Sequence, residues 1–264
     1  MSDLIKNIKL IASDIDGTLL LNGAKQISDE LFSQIRRLKE EKGILFMAAS
    51  GRQYQNLQVL FRPVKDEIIY LCENGCFGVY QNQVIYQKEL EHELAFEIAE
   101  SVLAEENCEV QISTPDTQYI MPKTEAFYRY MKNEAGIKVR KIKDIHSIKA
   151  PIFKVAVYNP CSDAHRGRLY KQYGKYCTMN LGHSHWTDFT PLGTDKGTAL
   201  KAMLKTLQIK PKECMAFGDY YNDENMLKTA GYPIVMKNAP TDLQQIGKET
   251  TDTVEHAIDR IFNR

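Results

Sequence analysis

The sequence predicts an α/β protein with a Rossmann-like core of parallel strands and an inserted α+β domain. Three short, nearly continuous apolar runs, at residues 8–13, 44–49 and 67–72, have the pattern of strands that are buried on both faces. Helical periodicity separates the first two runs, and the end of the chain repeats this alternation. Strands and helices that alternate with short connections favour a parallel sheet covered by helices on both faces.

The first predicted helix has clear start and stop signals. Ser28 can cap its N-terminus, and Leu31, Ile35 and Leu38 recur at helical spacing. Gly43 follows at the position of a C-terminal cap, where a left-handed backbone favours glycine. This segment therefore connects the first strand to the second as a crossover helix.

The end of the chain predicts the remaining part of the same sheet. Thr194 is a candidate cap for a helix that ends before a Lys-Pro pair. Residues 214–217 and 234–236 read as strands, and residues 224–229 and 254–262 read as helices.

The middle of the chain, residues 84–187, differs from both ends. It is rich in tyrosine, lysine and glutamate, and it mixes strand-like and helical runs without a regular alternation. We interpret it as an inserted domain, which leaves residues 1–83 and 188–264 to form a discontinuous core.

Composition excludes several classes of function. The 264 residues include 34 basic and 34 acidic side chains, so the net charge of zero does not predict a nucleic acid or an anionic membrane as partner. No secretory signal is evident, and no apolar run approaches the roughly 20 residues of a membrane span. The six cysteines lack metal-ligand spacing, so we expect reduced thiols, mostly buried, in a cytoplasmic protein. The sequence does not distinguish a monomer from a weak dimer.

Polar side chains follow the predicted strands at the points where the strands end. Because ligands of parallel sheets bind outside the carboxyl ends of the strands, we expect these groups to converge. They are Asp14 and Asp16, Ser50-Gly51, Asn74-Gly75, residues 219–223, and Lys196 at a helix start.

Crowded carboxylates repel one another unless a cation neutralises them or they share a proton. Mg²⁺ prefers oxygen ligands and commonly bridges a carboxylate and a phosphate. Ser50, Lys196 and the amide of Gly51 suit phosphate oxygens. Asp14 is placed to attack phosphorus, and Asp16 to protonate the leaving oxygen and then to accept a proton from water.

These segments resemble four motifs of the haloacid dehalogenase superfamily of phosphatases. DIDGTL at residues 14–19 resembles motif I, and Ser50 in AASGR resembles motif II. Lys196 in GTDKGTAL resembles motif III, and GDYYND at residues 218–223 resembles motif IV. The ENG at residues 73–75 and the late insertion resemble the Cof-type hydrolases, whose cap is of class II, B subtype. The resemblance extends over the whole chain.

The resemblance implies a role for each motif residue. Asp14 would be the nucleophile and a Mg²⁺ ligand, and Asp16 the acid/base, with a backbone-carbonyl contact to the metal. Asp219 would be a further ligand, and Asp223 would support the metal through water or orient Lys196. The phosphate would contact Ser50, Lys196, Asn222 and the backbone amides of Ile15 and Gly51.

The leading hypothesis is a Mg²⁺-dependent phosphatase that acts on a small phosphorylated metabolite, such as a sugar phosphate or a cofactor-precursor phosphate, through an aspartyl-phosphate. A phosphotransferase or mutase on the same site, and a non-catalytic phosphometabolite-binding protein, are the alternatives. His183 and His185 invite a metal interpretation, but without a third ligand nearby we favour a solvent or hinge role. Trp186 is more typical of a core residue.

Overall fold

The computed structural model describes residues 7–134, 138–161, 164–181 and 185–263. The chain divides into two compact units, of which the first comprises Met1–Gln87 and Asp195–Arg264 and the second Lys88–Thr194. Of the two histidines considered for a metal site, His183 lies outside the described residues, and His185 is exposed.

The described strands and helices are numbered here in chain order. The strands are β1 (Leu10–Ser13), β2 (Leu45–Ala49), β3 (Ile69–Cys72), β4 (Phe77–Tyr80), β5 (Gln83–Gln87), β6 (Glu109–Ser113), β7 (Gln118–Ile120), β8 (Val139–Lys141), β9 (Lys154–Tyr158), β10 (Cys177–Leu181), β11 (Trp186–Pro191), β12 (Cys214–Gly218), β13 (Tyr232–Met236) and β14 (Glu249–Thr251). The α-helices are α1 (Asp29–Lys42), α2 (Tyr54–Leu60), α3 (His92–Ala104), α4 (Glu125–Arg129), α5 (Ala164–Tyr173), α6 (Lys196–Thr206), α7 (Glu224–Thr229), α8 (Thr241–Gln244) and α9 (Val254–Phe262).

The first unit is built on an eight-stranded sheet in the order β14-β13-β12-β1-β2-β3-β4-β5. The strands from β14 to β3 are parallel neighbours, and β4 and β5 complete the sheet as antiparallel strands. All four residues of β1 and all five of β12 are buried. This burial explains why the central strands are continuous apolar runs in the sequence, since strands that helices cover on both faces have no side exposed to water.

Helix α1 has the ends that its sequence predicts. The Ser28 hydroxyl accepts a hydrogen bond from the amide of Leu31, and Gly43 ends the helix with a φ of 66°. Helix α6 begins one residue later than predicted. Its cap is Asp195 and not Thr194, because the Asp195 carboxylate accepts from the amides of Gly197 and Thr198.

The second unit contains a six-stranded sheet in the order β10-β11-β9-β6-β7-β8, in which only the pair of β7 and β8 is parallel among the described pairs. Helices α3 and α5 contribute to one apolar cluster beside this sheet. A second cluster contains Phe127, Tyr158 and Trp186, with ring centroids 5.6 Å apart for Phe127 and Tyr158 and 5.0 Å for Tyr158 and Trp186. Trp186 is therefore a packing residue, as expected.

The limits of the two units differ from the boundaries drawn on the sequence, at residues 84 and 187. Strand β5 pairs with β4 and so belongs to the first sheet, and β11 pairs with β9 and β10 and so belongs to the second. All six cysteines are free thiols, and five of them are buried. Among the described residues, no helix combines the length and the apolar character that a membrane span requires.

Candidate active site

The site begins where two central strands of the first sheet end. Ser13 is the last residue of β1 and pairs with Phe217 of the parallel strand β12. Asp14 and Asp219 follow these strands, and the amide of Asp14 donates to the carbonyl oxygen of Phe217 at 3.0 Å. The register of the sheet therefore brings two carboxylates from distant parts of the sequence to the same edge.

The loop after β1 is shaped around Asp219. Gly17 has a φ of +97°, and a Cβ at this position would lie 2.2 Å from Oδ2 of Asp219. Only glycine fits both the backbone conformation and the close approach. The Thr18 hydroxyl donates to Oδ1 of the same carboxylate at 2.9 Å.

Lys196 contacts two of the acidic side chains, Asp14 and Asp223. Its Nζ atom lies 2.5 Å from Oδ1 of Asp14 and 2.7 Å from Oδ1 of Asp223, and all three side chains are almost completely buried. Helix α6 can approach this closely because Gly197 has no side chain: a Cβ there would lie 2.4 Å from the backbone of Asn225.

Asp223 is held on both of its oxygens. Oδ1 accepts from Lys196, and Oδ2 accepts from the amides of Asp219 and Tyr220 at 3.1 and 3.3 Å. Asp223 thereby closes the turn after β12 and orients Lys196 at the same time. This dual contact agrees with one of the two roles that the sequence left open for it.

Three carboxylates of the site can face one cation. Asp14, Asp219 and Asp223 each offer an oxygen, and these atoms all lie within 4.8 Å of one another. Burial and the charge of Asp223 raise the pKa of Asp14, Lys196 opposes them, and the net effect is a pKa of about 8. Burial also raises the pKa of Asp219. For Lys196, burial acts to lower the pKa, but the charges of Asp14 and Asp223 outweigh it and raise the pKa.

This donor set fits a divalent cation. Three carboxylates and one ammonium group leave an excess of two negative charges when all are ionised, in a largely buried place. The ligand atoms are all oxygens, which suits a hard cation such as Mg²⁺. Burial is the largest cause of the raised pKa of Asp14, and the negative charge of Asp223 adds to it.

Asp16 lies apart from this cluster, although it is only two residues from Asp14. Its two carboxylate oxygens accept from Arg52, from Nε at 2.9 Å and from Nη2 at 2.5 Å. Both side chains are about 40% exposed, with values of 38% for Arg52 and 44% for Asp16. The charge of Asp16 is thus balanced separately from that of the buried carboxylates.

Ser50 and Gly51 form a turn that is tied to the turn after β3. The Ser50 hydroxyl accepts from the amide of Arg52 at 3.2 Å, and the Ser50 carbonyl oxygen accepts from the amide of Asn74 at 3.1 Å. A Cβ on Gly51 would lie 2.7 Å from the Asn74 side chain. Two strand ends, β2 and β3, are therefore joined at the same edge of the sheet as Asp14.

The structure brings four of the predicted site residues into one connected cluster: Asp14, Lys196, Asp219 and Asp223. Asp16, Ser50 and Gly51 form a second group around Arg52. Ile15 is buried, and Asn222 is exposed in the turn Tyr221–Asp223.

Sequence reasoning missed three side chains that contact the site: Arg52, Thr18 and Asn238. Arg52 and Thr18 belong to the quoted motifs, so the sequence indicated that they lie near the site. It did not indicate which carboxylates they contact. Asn238 follows the end of β13 by two residues, and the rule that ligands meet the carboxyl ends of strands could have found it.

Comparison with known proteins identifies the family of the chain. The family described as haloacid dehalogenase-like hydrolase matches residues 11–259, and the chain belongs to it. In Escherichia coli (strain K12), the 5-amino-6-(5-phospho-D-ribitylamino)uracil phosphatase YbjI is 24% identical over 263 residues, which cover 97% of each protein.

Two solved structures have the same fold. A crystal structure from Eubacterium rectale superposes with a TM-score of 0.87 at 26% identity and covers 97% of this chain and 100% of that chain. The HAD subclass IIB sugar phosphatase BT4131 superposes with a TM-score of 0.79 at 18% identity and covers 96% of this chain and 98% of that one.

Fold and family together define a haloacid dehalogenase-type phosphatase. Within this class, the chain is of the Cof type, and its second unit is inserted between the two segments of the first.

Proposed function

We propose that this phosphatase hydrolyses a small phosphorylated metabolite with the help of Mg²⁺ and through an aspartyl-phosphate at Asp14. The observation that carries the proposal is the Asp14 carboxylate at the end of β1, which shares a buried cluster with Lys196, Asp219 and Asp223. A carboxylate would normally repel a phosphate dianion. Here Lys196 and a bound cation would supply the positive charge that lets the Asp14 carboxylate approach and attack it.

The cation would be held by the carboxylates of Asp14 and Asp219 and by the backbone carbonyl of Asp16, with Asp223 behind them. When bound, Mg²⁺ supplies positive charge that screens the phosphate from the carboxylates. Lys196, Ser50, Asn222 and the amides of Ile15 and Gly51 would bind the phosphate oxygens.

The reaction would take place in two steps. In the first, an Asp14 oxygen forms a bond to phosphorus, the bond to the leaving oxygen breaks, and Asp16 gives that oxygen a proton. In the second, a water oxygen attacks phosphorus while Asp16 accepts its proton, and the bond to Asp14 breaks. Phosphate leaves and both aspartates return to their starting states.

The names of two similar proteins support a proposal for the substrate class. The E. coli relative is named for a phosphate on a ribityl chain, and BT4131 is named as a sugar phosphatase. We infer that this chain acts on a phosphorylated sugar or polyol, or on a cofactor precursor that carries one. Residues 88–194 would act as the cap that selects among such substrates, and we expect the enzyme to work in the cytoplasm on free metabolites.

The test is phosphate release from a panel of sugar phosphates, polyol phosphates, nucleotides, cofactor phosphates and one activated aryl phosphate, with Mg²⁺ and with EDTA. We expect metal-dependent release that Asp14→Asn abolishes while the circular dichroism spectrum is retained. Acid quenching of wild type with radiolabelled substrate should trap a phosphorylated chain, and Asp14→Asn should not be labelled.

Two results would contradict the proposal. Near-normal Mg²⁺-dependent release by Asp14→Asn would remove the nucleophile assignment. Formation of a phosphorylated sugar in place of free phosphate when a sugar acceptor is added would instead favour phosphoryl transfer, the alternative on the same core.

A further inference from the structure

Asn238 lies beside the carboxylate cluster, on the loop after β13. Its Nδ2 atom is 3.0 Å from the carbonyl oxygen of Gly17 and 3.4 Å from Oδ2 of Asp219. Both neighbours are hydrogen-bond acceptors, so only the amino end of the amide can face them. The amide therefore connects the loops that follow β1, β12 and β13.

The loop that carries Asn238 is itself held on both sides. The Gln244 side chain of α8 donates from Nε2 to the carbonyl oxygens of Lys237 and Ala239, at 3.0 and 2.9 Å. The amide of Ala239 donates to the carbonyl oxygen of Met236 at 3.1 Å. Hydrogen bonds therefore hold the backbone on both sides of Asn238. They fix the position of this residue although its side chain is exposed.

The contacts of Asn238 converge on Asp219. Gly17 presses against the Asp219 carboxylate, and the Thr18 hydroxyl donates to its other oxygen. The hydrogen bond from Asn238 to Gly17 fixes the peptide on one side of this carboxylate, and its longer contact reaches Oδ2 directly. Asp219 is therefore oriented by neutral donors, which leave its negative charge available to a cation.

We propose that Asn238 is a positioning residue that holds Asp219 and Gly17 in the arrangement needed to bind the divalent cation. The proposal rests on the metal site of the proposed function and adds a residue outside the four motifs. Partners that orient a metal ligand commonly change metal affinity by about 10- to 100-fold when they are removed.

The test compares Asn238→Ala with Lys237→Ala, the adjacent residue on the same loop, whose ammonium group pairs with the exposed carboxylate of Asp252. Binding of Mn²⁺ is measured by electron paramagnetic resonance, and binding of Mg²⁺ by calorimetry, on the full chain. We expect Asn238→Ala to bind both ions at least about 10-fold more weakly and Lys237→Ala to bind them as wild type does.

Further measurements distinguish a positioning role of Asn238 from a general effect on stability. For Asn238→Ala, the Mg²⁺ concentration at half-maximal activity should rise about 10-fold, while kcat at saturating Mg²⁺ should stay within about threefold of wild type. Gln244→Ala, which frees the loop without touching Asp219, should weaken Mn²⁺ binding in the same direction. The melting temperature in EDTA reports the fold alone.

Each outcome is decisive. Wild type that binds neither ion would overturn the proposed metal site itself. Wild type that binds, with Asn238→Ala equally tight, would overturn the role of Asn238 and leave the metal site in place. Equal weakening in Asn238→Ala and Lys237→Ala would mean that the loop matters only for stability, which also contradicts the inference.

Discussion

The guanidinium group of Arg52 donates to both carboxylate oxygens of Asp16, and the pair lies outside the buried cluster of Asp14. A two-point contact fixes the direction of a carboxylate, whereas a single ammonium contact would leave it free to turn. Because Asp16 is the proposed proton donor to the leaving oxygen, we expect Arg52 to matter for catalysis by fixing the orientation of this carboxyl group.

Arg52→Lys should therefore impair substrates with poor leaving groups most. An alkyl phosphate needs the proton from Asp16, whereas an aryl phosphate with a good leaving group needs it less. We expect kcat on a sugar phosphate to fall about 10- to 100-fold and kcat on the aryl ester to fall much less. Asp16→Asn should give the same pattern, and the double variant should be no worse than Asp16→Asn alone. Additive losses would show that Arg52 acts elsewhere.

Lys196→Met should destabilise the chain strongly when no metal is present. The substitution leaves Asp14 and Asp223 buried without their shared cation, and breaking a buried pair of this kind costs about 3–5 kcal/mol. Urea unfolding in EDTA measures the loss, and Mg²⁺ should recover part of it. Lys201→Met, at an exposed position of the same helix, should change the free energy of unfolding little. Equal effects of both variants would contradict the buried network.

Cation binding should depend on pH through Asp14. Its pKa of about 8 in the folded chain exceeds the ordinary value of 3.8, so the folded state holds a proton that the unfolded state has released. The stabilisation from that proton is present in full at low pH and is lost as pH rises through about 8.

Because Mg²⁺ competes with this proton, it should raise the melting temperature more at about pH 8.5 than at about pH 6.5. Calorimetry in buffers of different ionisation enthalpy should detect the released proton. Asp14→Asn lacks the titrating carboxyl, so its residual response to Mg²⁺ should vary less across this range. An Mg²⁺ effect on wild type that is flat with pH would contradict the competition.

The second unit contains a buried ion pair whose removal should also be costly. Nζ of Lys154 on β9 lies 3.1 Å from Oδ2 of Asp188 on β11, and the two side chains are 8% and 13% exposed. Lys154→Met should lower the free energy of unfolding by about 3 kcal/mol, because it breaks an ion pair in a largely buried place. Lys154→Met combined with Asp188→Leu should recover most of the loss. Lys143→Met, at an exposed position, serves as the control. A double variant no more stable than Lys154→Met would contradict the pairing.

The position of the acidic cluster could be predicted because it depends on topology alone. Asp14 and Asp219 follow strands that the apolar pattern identifies, and parallel strands bring their carboxyl ends to one edge. The contacts of Arg52 and Asn238 could not be predicted in the same way. They depend on how long side chains cross between loops, and the hydrophobic pattern carries no information about that.

The second unit was predicted only in outline. Glu109 and Gln111 alternate with Val110 and Ile112 along β6, a pattern that normally places the polar residues in water. In the structure both sets are buried, and Glu109 is satisfied there because its carboxylate accepts from the amides of Lys123 and Thr124. Such compensation comes from residues far along the chain, so local alternation does not reveal it.

The position of β1 between β2 and β12 also has a consequence for biosynthesis. Leu10 pairs on one side with Leu45 and on the other with Cys214, so the two neighbours leave the ribosome at very different times. The whole of residues 88–194 is translated between them. Throughout that interval the strand that leads to Asp14 has one unpaired edge, and a chain that stalls or is cleaved there presents an apolar β edge to its surroundings. We therefore expect chains that terminate before Cys214 to aggregate rather than to accumulate as inactive folded chains.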